Sequence, residues 1–270
     1  MEIKLLGPLE VTVHGTLTTP TAAKPRQLLA MLAMNAGRVT PVSVLIDELW
    51  GEEPIRSAAT TLQTYIMQLR KYIVEAHTGG LKAAGKDILA THYGGYVLKV
   101  PAEYVDVHRY QQLVDAGNRA IRSGDHETGA ALVRSALDIW RGPAMVDVQH
   151  GPSLRIQVTR LEESRVTAIE RWLEVELRLG HHQSVLSELA MLSAQHPMHE
   201  NLCALYMIAL HRSGRRKHAL EAFSNLRQTL VDELGVEPSP QLQRLQMAIL
   251  SAAPHLEGEH EPLRLAHLAS

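Results

Sequence analysis

Between Ser57 and Ile73, apolar residues recur at Ala58, Leu62, Ile66, Leu69 and Ile73, stepping four, four, three and four positions. That spacing draws one apolar stripe along one side of a helix, predicted from residue 57 to about 76, and the stripe must lie on a core. The opposite side then carries Thr60, Thr61, Gln63, Thr64, Met67, Gln68 and Lys71, with Arg70 on the flank. No Asp or Glu occurs from Ser57 to Ile73, although a solvated helix of that length ordinarily carries some. Amide, hydroxyl and cationic side chains without carboxylates suit base edges: Gln pairs with adenine, Arg with guanine, and Thr offers a hydroxyl and a methyl group. The competing reading is a merely solvent-exposed face.

The flanking segments support the first reading. Residues 1–6 and 9–14 are short runs rich in Val, Ile and Leu, separated by Gly7-Pro8, and a turn at His14-Gly15 leads to 16–19. They predict a small antiparallel sheet. Residues 24–36 carry Leu28, Leu29, Leu32, Ala33 and Ala36 at helical spacing, with Pro25 in the first turn and Gly37 beyond the end. A second helix is predicted over 41–50, with Thr40 as its N-cap, and Gly51-Glu52-Glu53-Pro54 breaks it. Residues 78–86, with three Gly, read as a loop, and 88–91 and 96–100 flank Gly94-Gly95 as a hairpin. Sheet, three helices and hairpin are the plan of a winged helix-turn-helix, an α+β fold. Phosphate contacts are expected from Lys24 and Arg26 at the start of the first helix, where free backbone N–H groups also favour anions. Arg56, just before the third helix, is a further candidate, and the hairpin tip His92-Tyr93 would lie along the minor groove.

Beyond Pro101 the pattern is helical, with helices predicted over 107–122, 127–140, 153–179, 184–196, 200–212, 217–234 and 241–251. Gly180 and Gly214 sit 34 residues apart in similar surroundings. That is the period of a tetratricopeptide helix pair, and Ser123-Gly124-Asp125-His126 looks like an earlier copy. The expected organisation is therefore a winged-helix DNA-binding domain over 1–100, an all-helical tetratricopeptide-like domain over 101–253 and a disordered polar tail over 254–270. A length of 270 residues suits two domains.

Charge locates the function only weakly. The net charge is −2, but residues 1–100 hold ten Lys and Arg against eight Asp and Glu, and the remainder 17 against 21. A nucleic-acid surface would have to be local and placed by the fold. No apolar run approaches transmembrane length and no signal peptide is read, so the chain is expected to be cytoplasmic and nucleoid-associated, with no membrane partner. Cys203, the single cysteine, reads as a small buried apolar residue. Fifteen histidines fall in repeat turns and on helix faces without ligand-spaced partners, so no metal or other cofactor is expected. Trp50, Trp140 and Trp172 read as packing residues. No nucleophile–base pair or phosphate loop points to an enzyme. An adaptor or effector-sensing protein, presenting the concave face of a helical repeat to a peptide or small ligand, is the alternative from another class.

Longer strings make the likeness specific. They include Lys24-Pro25-Arg26-Gln27-Leu28-Leu29-Ala30, Leu45-Ile46-Asp47-Glu48-Leu49-Trp50-Gly51, Thr61-Leu62-Gln63-Thr64-Tyr65-Ile66 and Gly94-Gly95-Tyr96. In the second half stand Ala136-Leu137-Asp138-Ile139-Trp140-Arg141-Gly142 and Glu233-Leu234-Gly235-Val236-Glu237-Pro238. Over roughly residues 1–252 the chain resembles the Streptomyces antibiotic regulatory protein family. The resemblance implies an OmpR-type winged helix followed by a bacterial transcriptional activation domain. It implies binding to direct repeats in double-stranded promoter DNA as a dimer, and recruitment of RNA polymerase holoenzyme through its sigma factor. Larger members add an ATPase or a phosphopeptide-binding domain, and this chain is expected to be a small, single-purpose form. Glu52 and Glu53 are either a solvated turn or, on the family reading, a polymerase contact.

Overall fold

Two small sheets and eleven α-helices are formed by the residues that the computed structural model describes, 1–76 and 84–251. In the first sheet β1 (Glu2–Lys4) runs antiparallel to β2 (Glu10–Val13), and β2 to β3 (Thr16–Leu17). Ile3 lies opposite Val11, and both are buried together with Val13, so alternate positions face inward as the pleat requires. Three helices follow: α1 (Ala23–Met34), α2 (Val42–Trp50) and α3 (Ala58–Ala76). Leu28, Leu32, Leu45, Leu49, Leu62, Ile66 and Leu69 share one core with Ile3, Leu5 and Leu6.

A short helix, α4 (Ala84–Ile88), leads into β5 (Leu89–His92), which pairs with β6 (Gly95–Leu98). The second sheet has the order β4-β6-β5, with β4 formed by Thr40–Pro41. Thr40 therefore does not cap α2. It is buried opposite Tyr96 in the sheet, and Pro41 occupies the cap position without a side-chain hydrogen bond. Ala84, Gly85 and Lys86, expected in a loop, belong to α4. The earlier part of that loop, 78–83, and the predicted tail, 254–270, lie outside the described residues.

A 3-10 turn at Ala102–Tyr104 precedes α5 (Asp106–Arg122), α6 (His126–Leu137), α7 (Pro152–Arg178), α8 (Leu186–Gln195), α9 (Glu200–Arg212), α10 (Arg216–Leu234) and α11 (Pro240–Leu250). The predicted helices are all present. The clearest shift is at α6, which stops at Leu137 while the chain turns Trp140 edge-on to Tyr110, with ring centroids 5.5 Å apart. Gly180 and Gly214 both have positive φ, 82° and 73°, as the left-handed end of a helix demands.

The chain divides into two compact units, residues 1–116 with 134–166, and 117–133 with residues from 167 onward. In the first, buried Asp106 accepts hydrogen bonds from the backbone N–H of Leu5 at 2.8 Å and of Leu6 at 3.0 Å. Burial still pushes its carboxyl pKa above the ordinary value. The connection between α6 and α7 runs along the same edge. Arg141 N–H donates to the Leu6 carbonyl at 2.8 Å and Met145 N–H to that of Leu5 at 2.9 Å. Asp147 accepts from Leu9 N–H at 2.7 Å. In the second unit α9 is buried almost throughout, from Leu202 to Leu210, packed by α8, α10 and α11. Cys203 lies within it, and burial raises its thiol pKa to about 12.

Candidate nucleic-acid interface

The third helix divides as its sequence dictates. Leu62, Ile66 and Leu69 are each 1% exposed, so the stripe is inside. Thr60, Gln63, Thr64, Gln68 and Lys71 are exposed and Thr61 is half-buried. Met67, in the middle of that face, is 67% exposed. Its thioether chain is an apolar patch among hydroxyls and amides, of a kind that can meet a thymine methyl. Sequence reasoning had placed Met67 on this face without assigning it a role. The Thr64 hydroxyl donates to the Thr60 carbonyl at 3.1 Å, so its proton is engaged and its oxygen can still accept.

The helix is held from both sides. Trp50, at the end of α2, stacks on Tyr65 with centroids 6.4 Å apart. Arg70 points to the hairpin: its Nε donates to the Leu89 carbonyl and a terminal nitrogen to the Thr91 hydroxyl, both at 2.9 Å. Arg70 thus braces helix to wing. At Gly85 an added Cβ would stand 2.8 Å from the Arg70 carbonyl oxygen, so α4 approaches α3 at backbone distance. At the wing tip His92 and Tyr93 are exposed, Tyr93 at 99%, and Gly94 takes the turn at φ 76°.

The remaining candidates separate into two groups. Arg56 is exposed just before α3, and Glu52 and Glu53 are exposed in the turn after α2. Lys24 and Arg26 have partners within the protein. The Lys24 ammonium donates to the Leu49 carbonyl and to Gln27. Arg26, with a side chain 14% exposed, binds Asp147 and donates to the Pro20 carbonyl at 3.0 Å. Leu49 and Asp147 lie 25 and 121 positions away, so nothing in the local sequence announced them.

A second buried carboxylate lies behind the helix-turn-helix, and sequence reasoning missed it. Glu48 of α2 is 2% exposed. One oxygen accepts from Gly151 N–H at 2.7 Å, the other from Ser153 and Leu154 N–H at 2.8 and 3.0 Å. Gln27 donates to both the carboxylate, at 3.1 Å, and the Glu48 carbonyl, at 2.7 Å. The charge therefore sits on the amino end of α7, where free N–H groups and the helix dipole favour an anion. Among the described residues no group of three or more His, Cys, Asp or Glu is placed to hold a metal ion. No helix there is long and apolar enough to cross a membrane.

Both parts of the chain match known protein families. Residues 105–250 match the bacterial transcriptional activator domain, and residues 18–98 match the transcriptional regulatory protein C-terminal family. The chain is 52% identical to the regulatory protein DnrI of Streptomyces peucetius over 257 residues, 95% of this chain and 94% of that protein. It is 38% identical to the regulatory protein AfsR of Streptomyces coelicolor, over 93% of this chain but 24% of that one. The solved structure of Mycobacterium tuberculosis EmbR in complex with a low-affinity phosphopeptide superposes with a TM-score of 0.86 at 32% identity. That match covers 99% of this chain and 67% of the EmbR chain.

Proposed function

The chain belongs to the Streptomyces antibiotic regulatory protein family of transcriptional activators, and from that premise we propose that it is a pathway-specific activator of antibiotic biosynthesis genes that binds direct repeats in promoter DNA. The observation that carries this reading is the exposed, carboxylate-free face of α3. It offers Gln63, Thr64, Met67 and Gln68 to base edges in the major groove. Lys71 and Arg56 flank that face as phosphate contacts, and His92 and Tyr93 reach the adjoining groove from the wing. Arg70 acts through the wing it holds. Arg26, paired with Asp147, orders the start of α1, so its bearing on phosphate is indirect. Residues 1–100 are the DNA-reading part, and the helical repeat beyond them holds partners.

Two copies bind in the same orientation on a direct repeat, which calls for a head-to-tail contact rather than a two-fold one. The exposed turn with Glu52 and Glu53 faces RNA polymerase holoenzyme and its sigma factor. The protein acts in the cytoplasm, on the nucleoid, and is not an enzyme. Footprinting on the promoters of the neighbouring genes, with and without polymerase, tests the proposal. The expected result is a protected pair of same-orientation repeats, extended when polymerase is present. Gln63→Ala and Thr64→Ala should each change which base is preferred at one position of the repeat. Equal affinity for promoter and scrambled DNA at physiological salt defeats the reading.

A further inference from the structure

A cleft of about 480 Å3 opens in the first unit between the start of α1, the end of α2 and residues 149–155. That volume lies within the ~300–1,000 Å3 span of small-molecule sites. One wall is Trp50, half-buried, with Leu49 and Gly51 beside it. Two cations line the same space. Lys24 spends two ammonium protons on Leu49 and Gln27 and keeps a third for another acceptor. Arg155 is exposed, and its guanidinium has no partner among the described residues. Gln149 and His150 complete the lining, with the His150 Nε2 donating to the Met145 carbonyl at 3.0 Å.

The one carboxylate in the lining is Glu48, and its oxygens are taken up by Gly151, Ser153, Leu154 and Gln27. The cleft therefore sets two cations with donors to spare against one carboxylate whose oxygens are already engaged. A neutral apolar occupant would strand those donors out of water at a cost. An anion would pair them, and an aromatic ring would use the indole wall.

We propose that this cleft binds a small planar aromatic carboxylate, with its ring against Trp50 and its carboxylate between Lys24 and Arg155. The site needs no DNA and is separate from the exposed face of α3. Occupancy would nevertheless be felt there, since Trp50 stacks on Tyr65 of α3 and Gly51 leads directly into Glu52 and Glu53. The cleft would make the activator responsive to a metabolite of that class.

The test is calorimetry and Trp indole N–H NMR on the whole chain, with 2-naphthoate as the probe. The expected result is saturable one-to-one binding that shifts the Trp50 signal, assigned by its absence in Trp50→Leu. The neutral isostere 2-naphthamide should bind about ten-fold or more weakly, and Arg155→Gln should weaken naphthoate by a similar factor. Arg155 is an exposed side chain, so this variant should keep its melting temperature. Absence of saturation up to about 5 mM, equal affinity for the amide, or unchanged affinity in both Arg155→Gln and Trp50→Leu each overturns the proposal.

Discussion

Replacing Glu48 with alanine should be among the costliest single changes in the first unit. The carboxylate accepts from three backbone N–H groups, those of Gly151, Ser153 and Leu154, and from the Gln27 amide. At 2% exposure water does not replace it freely. Each stranded buried donor costs ~1–3 kcal/mol, and removing one side of a buried charged network typically costs ~3–5 kcal/mol. Partial entry of water into the neighbouring cleft keeps the sum from being additive, so about 4 kcal/mol is expected for Glu48→Ala. Glu48→Gln retains one acceptor oxygen but turns an NH2 group toward an N–H donor, and about half that loss is expected. Gly151→Ala tests the same contact from the other side. Its Cβ would stand 2.0 Å from the Glu48 carbonyl oxygen, and the forced shift should cost about 1–3 kcal/mol. Urea unfolding followed by Trp fluorescence and circular dichroism measures all three variants, together with the Glu48→Ala/Gly151→Ala double variant. The double variant should lose less than the two single losses combined, because residues 151–154, no longer held by the carboxylate, can shift away from the backbone carbonyl they would otherwise meet. A Glu48→Ala variant within about 0.5 kcal/mol of the parent would refute the reasoning.

Arg70 and Lys71 are adjacent but should behave differently. Lys71→Ala should lower the slope of log affinity for DNA against log salt by about one, as loss of a phosphate contact does. Arg70→Ala should weaken DNA binding while leaving that slope unchanged and should make the wing more protease-sensitive, because its guanidinium is engaged with Leu89 and Thr91; a reduced slope for Arg70→Ala would contradict this assignment. Burial raises the carboxyl pKa of Asp106 in the folded chain, so its contribution to stability is fully present below the unfolded value of 3.8 and declines as pH rises through the folded value. Compared by urea unfolding, the advantage of the parent over Asp106→Asn should thus shrink from pH 3.5 or so toward neutrality, and an advantage that grows over that range would reverse the sign. Cys203, with its thiol pKa raised to about 12, should resist Ellman's reagent in the native protein and react once it is denatured; rapid native labelling would place it outside the α9 core.

The sequence made periodic features legible and left distant pairings hidden. The stripe Leu62, Ile66, Leu69 is a local pattern that the structure follows, and the hairpin is present with its turn one residue earlier than expected, at Tyr93-Gly94, because Gly95 already pairs with His92. Glu48 sits in a run that reads as ordinary helix surface, yet it is buried because residues 151–154, about a hundred positions away, bring N–H groups to it. Arg26 is likewise paired with Asp147, 121 positions away, a contact its neighbours in sequence do not announce. Thr40 fitted the composition of a cap, but strand pairing with Tyr96 took precedence. The exposure of Gln63 and Tyr93 could be read from local pattern, whereas the partners of Arg70, 19 and 21 positions away, could not.

The hydrogen bonds from Leu5, Leu6 and Leu9 to Asp106 and Asp147 bear on how modular the winged helix is. A fragment ended soon after Pro101 would lose both carboxylates, together with the α7 amino end that Glu48 occupies. Its first strand would fray and its second helix would carry an orphaned charge. Exchanging the first hundred residues between relatives should therefore give stable proteins only when Asp106 and residues 134–166 travel with them, so the folding unit is discontinuous in the gene.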